Sequence, residues 1–208
     1  MDECASGERI LQDRLGSRDR ADSFYDRQVL THLNDQMRDF LARQEMMFLA
    51  TSDAAGSCDS TFRAGPPGFV RTLDEYRLTW PEYRGNGVMA SLGNIVENPH
   101  VALLFVDFFE AGVGLHVNGS AELIEDPLLR SSVPDLPLDP VPGRRAQLWV
   151  VARVEEAYIH CARHIPRMRR APRAAVRHEN APKKSEYFIP TACPVTDANE
   201  TMPVLPGP

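Results

Sequence analysis

Cysteine is sparse in this chain, and the four present, Cys4, Cys58, Cys161 and Cys193, lie far apart with no C-x-x-C pair. That spacing points to neither a zinc-finger pattern nor a dense disulfide framework, and reduced thiols in a cytosol are the simplest expectation. Also missing is any apolar run approaching the ~20 residues needed to span a bilayer. Met1-Asp2-Glu3-Cys4-Ala5 has no basic start followed by an apolar stretch, so the expectation is a soluble, cytoplasmic protein without a membrane partner. Positive charge is not in excess either. With 23 Lys and Arg against 29 Asp and Glu, the net charge of −6 gives no global attraction to nucleic acid, and no nucleic-acid motif compensates.

What is present is an ordinary globular composition, 43% hydrophobic and 25% charged over 208 residues, a length that one all-β barrel with helical additions fills comfortably. Residues 1–23 are polar, with Ile10, Leu11 and Leu15 the only apolar group at helical spacing, and are expected to form an arm that packs on a partner subunit. From Phe24 to Gln44 the residues Leu30, Leu33, Met37, Phe40 and Leu41 recur at three- and four-residue steps, which predicts one amphipathic helix over an end of the barrel.

Met46 to Thr51 and Cys58 to Arg63 read as a β-hairpin around Ser52-Asp53-Ala54-Ala55-Gly56-Ser57. Phe69 to Leu73 and Tyr76 to Trp80 read as a second hairpin around Asp74-Glu75, with Glu75 an unusual residue for a tight turn. Val88, Leu92, Ile95 and Val96 share a helical face that ends at Asn98-Pro99, because proline disfavours helical geometry in the residue before it. Val101 to Phe108 and Leu115 to Ile124 follow as strands, the second with Leu115, Val117, Gly119, Ala121 and Leu123 on one face. Pro127 to Gly143 is too rich in proline for a long helix or a central strand and reads as a surface excursion. Gln147 to Ile159 returns as a long strand. About seven strands with helices at the edges favour a closed or nearly closed antiparallel barrel, in residues 24–165. Residues 166–208 are expected to be a basic and then proline-rich extension.

The chemistry concentrates between Thr61 and Asn94. Gly85-Asn86-Gly87 ahead of a helix exposes N–H groups at its positive end, and Arg84 adds a charge able to grip two phosphate oxygens. Asn86 as a plain helix cap explains the same residues equally well. Ser91 and Asn94 offer a hydroxyl and an amide near that end. In Arg63-Ala64-Gly65-Pro66-Pro67-Gly68, two prolines stiffen a loop whose glycines allow backbone to approach a flat ligand, or simply form a rigid connection. Trp80 either flanks such a ring or belongs to the core, and the pattern alone favours the core.

Taken in order, F-L-A-T-S-D-A-A-G from Phe48, F-R-A-G-P-P-G-F from Phe62, W-P-E-Y-R-G-N-G from Trp80, S-L-G-N-I from Ser91 and N-P-H-V from Asn98 resemble the FMN-binding split-barrel family related to pyridoxamine 5′-phosphate oxidase. The resemblance covers about residues 8 to 165. It implies a mainly β, Greek-key-like split β-barrel with peripheral helices, a homodimer with two sites at the subunit interface, non-covalently bound FMN and an oxidoreductase acting on a small molecule. By position it implies that Arg63 and Arg84 bind phosphate, that Gly65 and Trp80 border the ring, and that Asn86 and Ser91 support the phosphate end, with Ala64 and Tyr83 beside them as further cofactor-binding candidates. The sequence departs from the family's oxidases in having no tryptophan after Trp149, which leaves the substrate open.

His160-Cys161-Ala162-Arg163-His164 follows the last strand, and by the resemblance Arg163 or His160 lies near the cofactor, although a strand end with solvated polar residues explains the segment equally well. On a helix, His160 and His164 would share a face, but two ligands make a weak metal site and none is assigned. If the barrel carries deazaflavin or haem instead, as a binding module, haem calls for an axial ligand such as His116, His160 or His164. Arg163, Arg167, Arg169, Arg170, Arg173 and Arg177 form a basic run without interleaved aromatics and are expected on a solvated face or arm.

Overall fold

The computed structural model describes residues 6–83, 85, 87–138 and 145–170. Residues 6–169 of these fall in one compact unit. The arginines at 173 and 177 and the proline-rich tail lie outside the described residues.

Seven strands form one antiparallel sheet: β1 (Met46–Ser52), β2 (Cys58–Ala64), β3 (Arg71–Thr72), β4 (Arg77–Tyr83), β5 (His100–Val106), β6 (Gly114–Glu125) and β7 (Ala146–His160), in the order β2-β1-β5-β6-β7-β4-β3. β2 and β4 are five strand steps apart, roughly 24 Å on a flat sheet. Yet Arg63 of β2 and Glu82 of β4 form an ion pair of 2.7 Å. The sheet is therefore curled until its two ends nearly meet, and the hydrogen-bond ladder stops at β2 and β3: a split β-barrel.

Period-two alternation explains the interior. Met47 and Leu49, Leu78 and Trp80, Leu103 and Phe105, Leu115 and Val117, and Val150 and Ala152 all point inward into one core. Gly119 stands at a bulge where a Cβ would lie 1.9 Å from the carbonyl of Arg153, so only glycine fits there. On the outer face, Trp149 and Val151 pack under Leu129 and Leu136.

One expectation needs correction, and two gain detail. The region from Phe24 to Gln44 is two helices, not one: α2 (Arg18–Gln28) ends before Leu30, and α3 (Asp35–Ala42) begins afresh. Between them Leu30 exchanges backbone hydrogen bonds of 3.0 and 2.7 Å with Ala157, and Asn34 caps α3 by accepting from the Met37 N–H. The apolar spacing did not reveal this, because Leu33, Phe40 and Leu41 are buried with or without the break. Second, the arm holds a helix, α1 (Gly7–Leu15), tied to α2 by Arg9–Asp22 and Gln12–Tyr25 contacts, with no buried residue in either. Third, the proline-rich excursion contains a short helix, α5 (Asp126–Ser132), with Pro127 in its first turn, where a missing N–H does no harm.

Glu75 is tolerated because the turn is wider than two residues: Leu73 N–H bonds the Arg77 carbonyl, and Asp74 accepts from the Tyr76 N–H. The remaining helix, α4 (Ala90–Glu97), lies beside the split. Leu92 and Ile95 enter the core, while Asn94 donates to Thr51 and Asn98 to Ser52 on β1. Part of the basic run is docked, since Arg167 donates to the Glu110 carbonyl at 2.6 Å. Among the described residues no helix is long and apolar enough to cross a membrane.

Candidate functional site

The split leaves a cavity of about 480 Å³, inside the ~300–1,000 Å³ range of small-molecule sites. Its walls are β2, the end of β4, the start of β7, Gly85 and the run from Gly87 to Leu92. Asp59, Thr61 and Arg63 alternate along β2 and so turn their side chains inward together. Most of the inward face is apolar, and it turns polar along the edge strand β2 and at Glu82, the end of β4.

Arg63 is held in place. Its Nε donates to Glu82 Oε1 at 2.7 Å and its Nη1 to Thr61 Oγ1 at 2.8 Å. Glu82, only 8% exposed, also accepts from the Trp80 indole at 3.0 Å. Opposite them, Ser91 donates to Asp59 at 2.7 Å and ties α4 to β2. The first N–H groups of a helix have no partner within it, and Met89 at the N-cap supplies no capping side chain. The first turn carries no acidic residue to compete for them. Met89 itself has φ of 54°, the one left-handed non-glycine among the described residues, and such geometry is often kept at functional sites. Gly85 and Gly87 have open space where a Cβ would stand.

The expected site residues divide accordingly. Arg63, Ala64, Tyr83 and Ser91 meet at this cavity. Trp80 does not: it is 0% exposed, a core residue whose polar tip is spent on Glu82. Gly65 does not line it either. A Cβ there would lie 2.5 Å from that of Phe69, so the glycine makes room for a wall residue. Arg163 is exposed in a single 3₁₀ turn (Ala162–His164), beyond the opposite end of β7 from Leu148, roughly 40 Å of strand away. Arg84 and Asn86 lie outside the described residues. Asp59, Thr61 and Glu82 were missed, although their alternation with Arg63 and Trp80 was the available signal.

The histidines form a separate cluster on the outer face. His160 ends β7 instead of sharing a helix with His164, and its Nδ1 lies 2.8 Å from His116 Nε2. The ring of His116 stacks on Tyr158 at 4.7 Å. Burial, and then the charge of His160, hold the His116 pKa below its usual 6.5 against the opposing pull of Glu156. This contact occupies one ring nitrogen of each histidine. No cluster of three metal-ligating side chains occurs among the described residues.

The sequence model of one family, described as pyridoxamine 5′-phosphate oxidase, matches residues 33–161, more than half of the chain. The chain belongs to that family. No curated protein matches it. Among solved structures, HupZ of Group A Streptococcus is 19% identical and similar over 61% of this chain and 92% of its own, with a TM-score of 0.44. A candidate pyridoxamine 5′-phosphate oxidase of Lactobacillus delbrueckii is 21% identical over 62% and 95%, with a TM-score of 0.44. An F420 reductase is 22% identical over 59% and 94%, with a TM-score of 0.39. At these values the structural likenesses add nothing to the family match.

Proposed function

We propose that the cavity beside α4 holds FMN and that the protein is an FMN-dependent oxidoreductase acting on a small molecule. One observation carries this reading: Arg63, Ser91 and the uncapped first turn of α4 face a single cavity of suitable size. A phosphate monoester needs a cation and N–H donors at one end of its site, and these residues fit that need. Ala64 and Tyr83 line the same space and are the residues we assign to the ring. When bound, the flavin supplies hydride and electron transfer. The chain's own work is to bind and orient, with Glu82 fixing the guanidinium of Arg63.

A second copy of the chain completes the site. Phe62, 51% exposed, lines the cavity and also stands on the outer face against Phe48, 38% exposed, with ring centroids 5.6 Å apart. Ala50 and Ala102 continue that face across β1 and β5. Contiguous apolar surface of this kind marks an interaction surface. A homodimer formed there would cover the mouth, and the exposed Arg163 would be free to serve the partner's cavity.

Protein mixed with FMN and gel-filtered is expected to emerge yellow and to be reduced by one member of a donor screen. Colourless protein under excess FMN contradicts the cofactor. A spectrum characteristic of deazaflavin or haem on the purified protein replaces it, and bound flavin that no donor or acceptor alters leaves a binding module. Phe62→Glu is expected to shift sedimentation toward the monomer.

A further inference from the structure

A second cavity, of about 280 Å³, lies on the outer side of β4 and β7. Trp149, Tyr83, Pro137 and Leu138 give it aromatic and apolar walls. Of the three charged residues among its described lining, two neutralise each other. Arg130 donates from Nε to both oxygens of Asp126 at 2.9 and 3.1 Å, and from its other nitrogens to the carbonyls of Leu136 and Pro137. Asp126 also accepts from the Trp149 indole at 2.7 Å, and the Arg130 guanidinium lies over the Trp149 ring at 5.6 Å. This network fixes the aromatic wall and commits every nitrogen of Arg130.

Arg145 is different. It lines the same cavity, is exposed, and has no hydrogen-bond or ion-pair partner among the described residues. An uncommitted guanidinium at the edge of an apolar pocket selects a planar anion attached to an apolar body, because its fork matches a carboxylate. One such charge balances a carboxylate, whereas a phosphate dianion calls for more. We propose that this second cavity binds a small carboxylate with a flat apolar body, its carboxylate on Arg145 and its body against Leu138, Pro137 and Tyr83, with the buried Trp149 backing the wall. The site has its own charge and walls but shares Tyr83 with the larger cavity, so its occupant sits beside the region assigned to the flavin. It does not depend on that assignment.

The test uses the full chain with benzoate as probe and benzyl alcohol as its uncharged counterpart. Binding is followed by tryptophan fluorescence, since Trp149 lines the cavity, and by ligand-observed NMR. Saturable benzoate binding is expected, with benzyl alcohol roughly tenfold or more weaker. Arg145→Gln is expected to weaken benzoate roughly ten- to hundredfold with an unchanged melting curve. Leu138→Glu, at a position 79% exposed where folding is safe, should do the same by repulsion. Arg63→Gln should leave benzoate unaffected. Equal binding of the two probes, full binding by Arg145→Gln, loss in Arg63→Gln, or no saturable binding by either method would each overturn the proposal.

Discussion

β1 and β2 are hydrogen-bonded along their whole length, yet their inward faces carry opposite chemistry. Met47 and Leu49 of β1 sit opposite Arg63 and Thr61 of β2. β1 has β5 on its other side and is sealed into the core, whereas β2 ends the sheet and has no second neighbour. The same pleat thus delivers an apolar residue to the interior and a polar one to the cavity. The site lies where the sheet stops, and Glu82 from the far side of the split reaches across to hold it.

The sharpest break between the two strands should appear at one register pair, Leu49 and Thr61. Leu49→Ala, at a fully buried position, is expected to cost about 2–5 kcal/mol in denaturant unfolding. Thr61→Ala should cost less than about 1 kcal/mol. Equal losses would show that β2 is as sealed as β1. Glu82→Ala comes next, at about 1–3 kcal/mol, because it strands the buried Trp80 N–H and frees Arg63.

The smallest effect belongs to the outer face. Since the folded protein holds His116 below its ordinary 6.5, the unfolded chain takes up the proton more readily. Stability from this group is therefore full above that value and is lost as pH falls through it. The melting temperature should decline on acidification from neutral pH, and His116→Phe should flatten that decline while Glu156, Tyr158 and His160 remain. A slope identical in the variant would remove His116 as its source.

Much of the barrel was legible because strands announce themselves locally. Asp53 and Gly56 marked the first turn, and Asn98-Pro99 marked the end of α4. The break at Leu30 was not, because its cause is a pair of hydrogen bonds to Ala157, far away in the chain. At the site, Arg63 and Ser91 stood out by residue type, but Glu82 did not. Its importance comes from a contact across the split that no local pattern encodes. Trp80 is in the core, as its pattern alone favoured, through its inward register with Leu78; it was the resemblance that implied a place beside the ring.

The contrast between Arg63 and Trp80 supplies the most direct test of the central claim, that the edge strand and not the core tryptophan holds the cofactor. FMN affinity is read by quenching of flavin fluorescence on titration with wild type, Arg63→Gln and Trp80→Phe. The expected result is FMN binding by wild type, affinity within about threefold of it for Trp80→Phe, and affinity roughly ten- to hundredfold weaker for Arg63→Gln. Undiminished binding by Arg63→Gln, or loss of FMN in a folded Trp80→Phe, would contradict it.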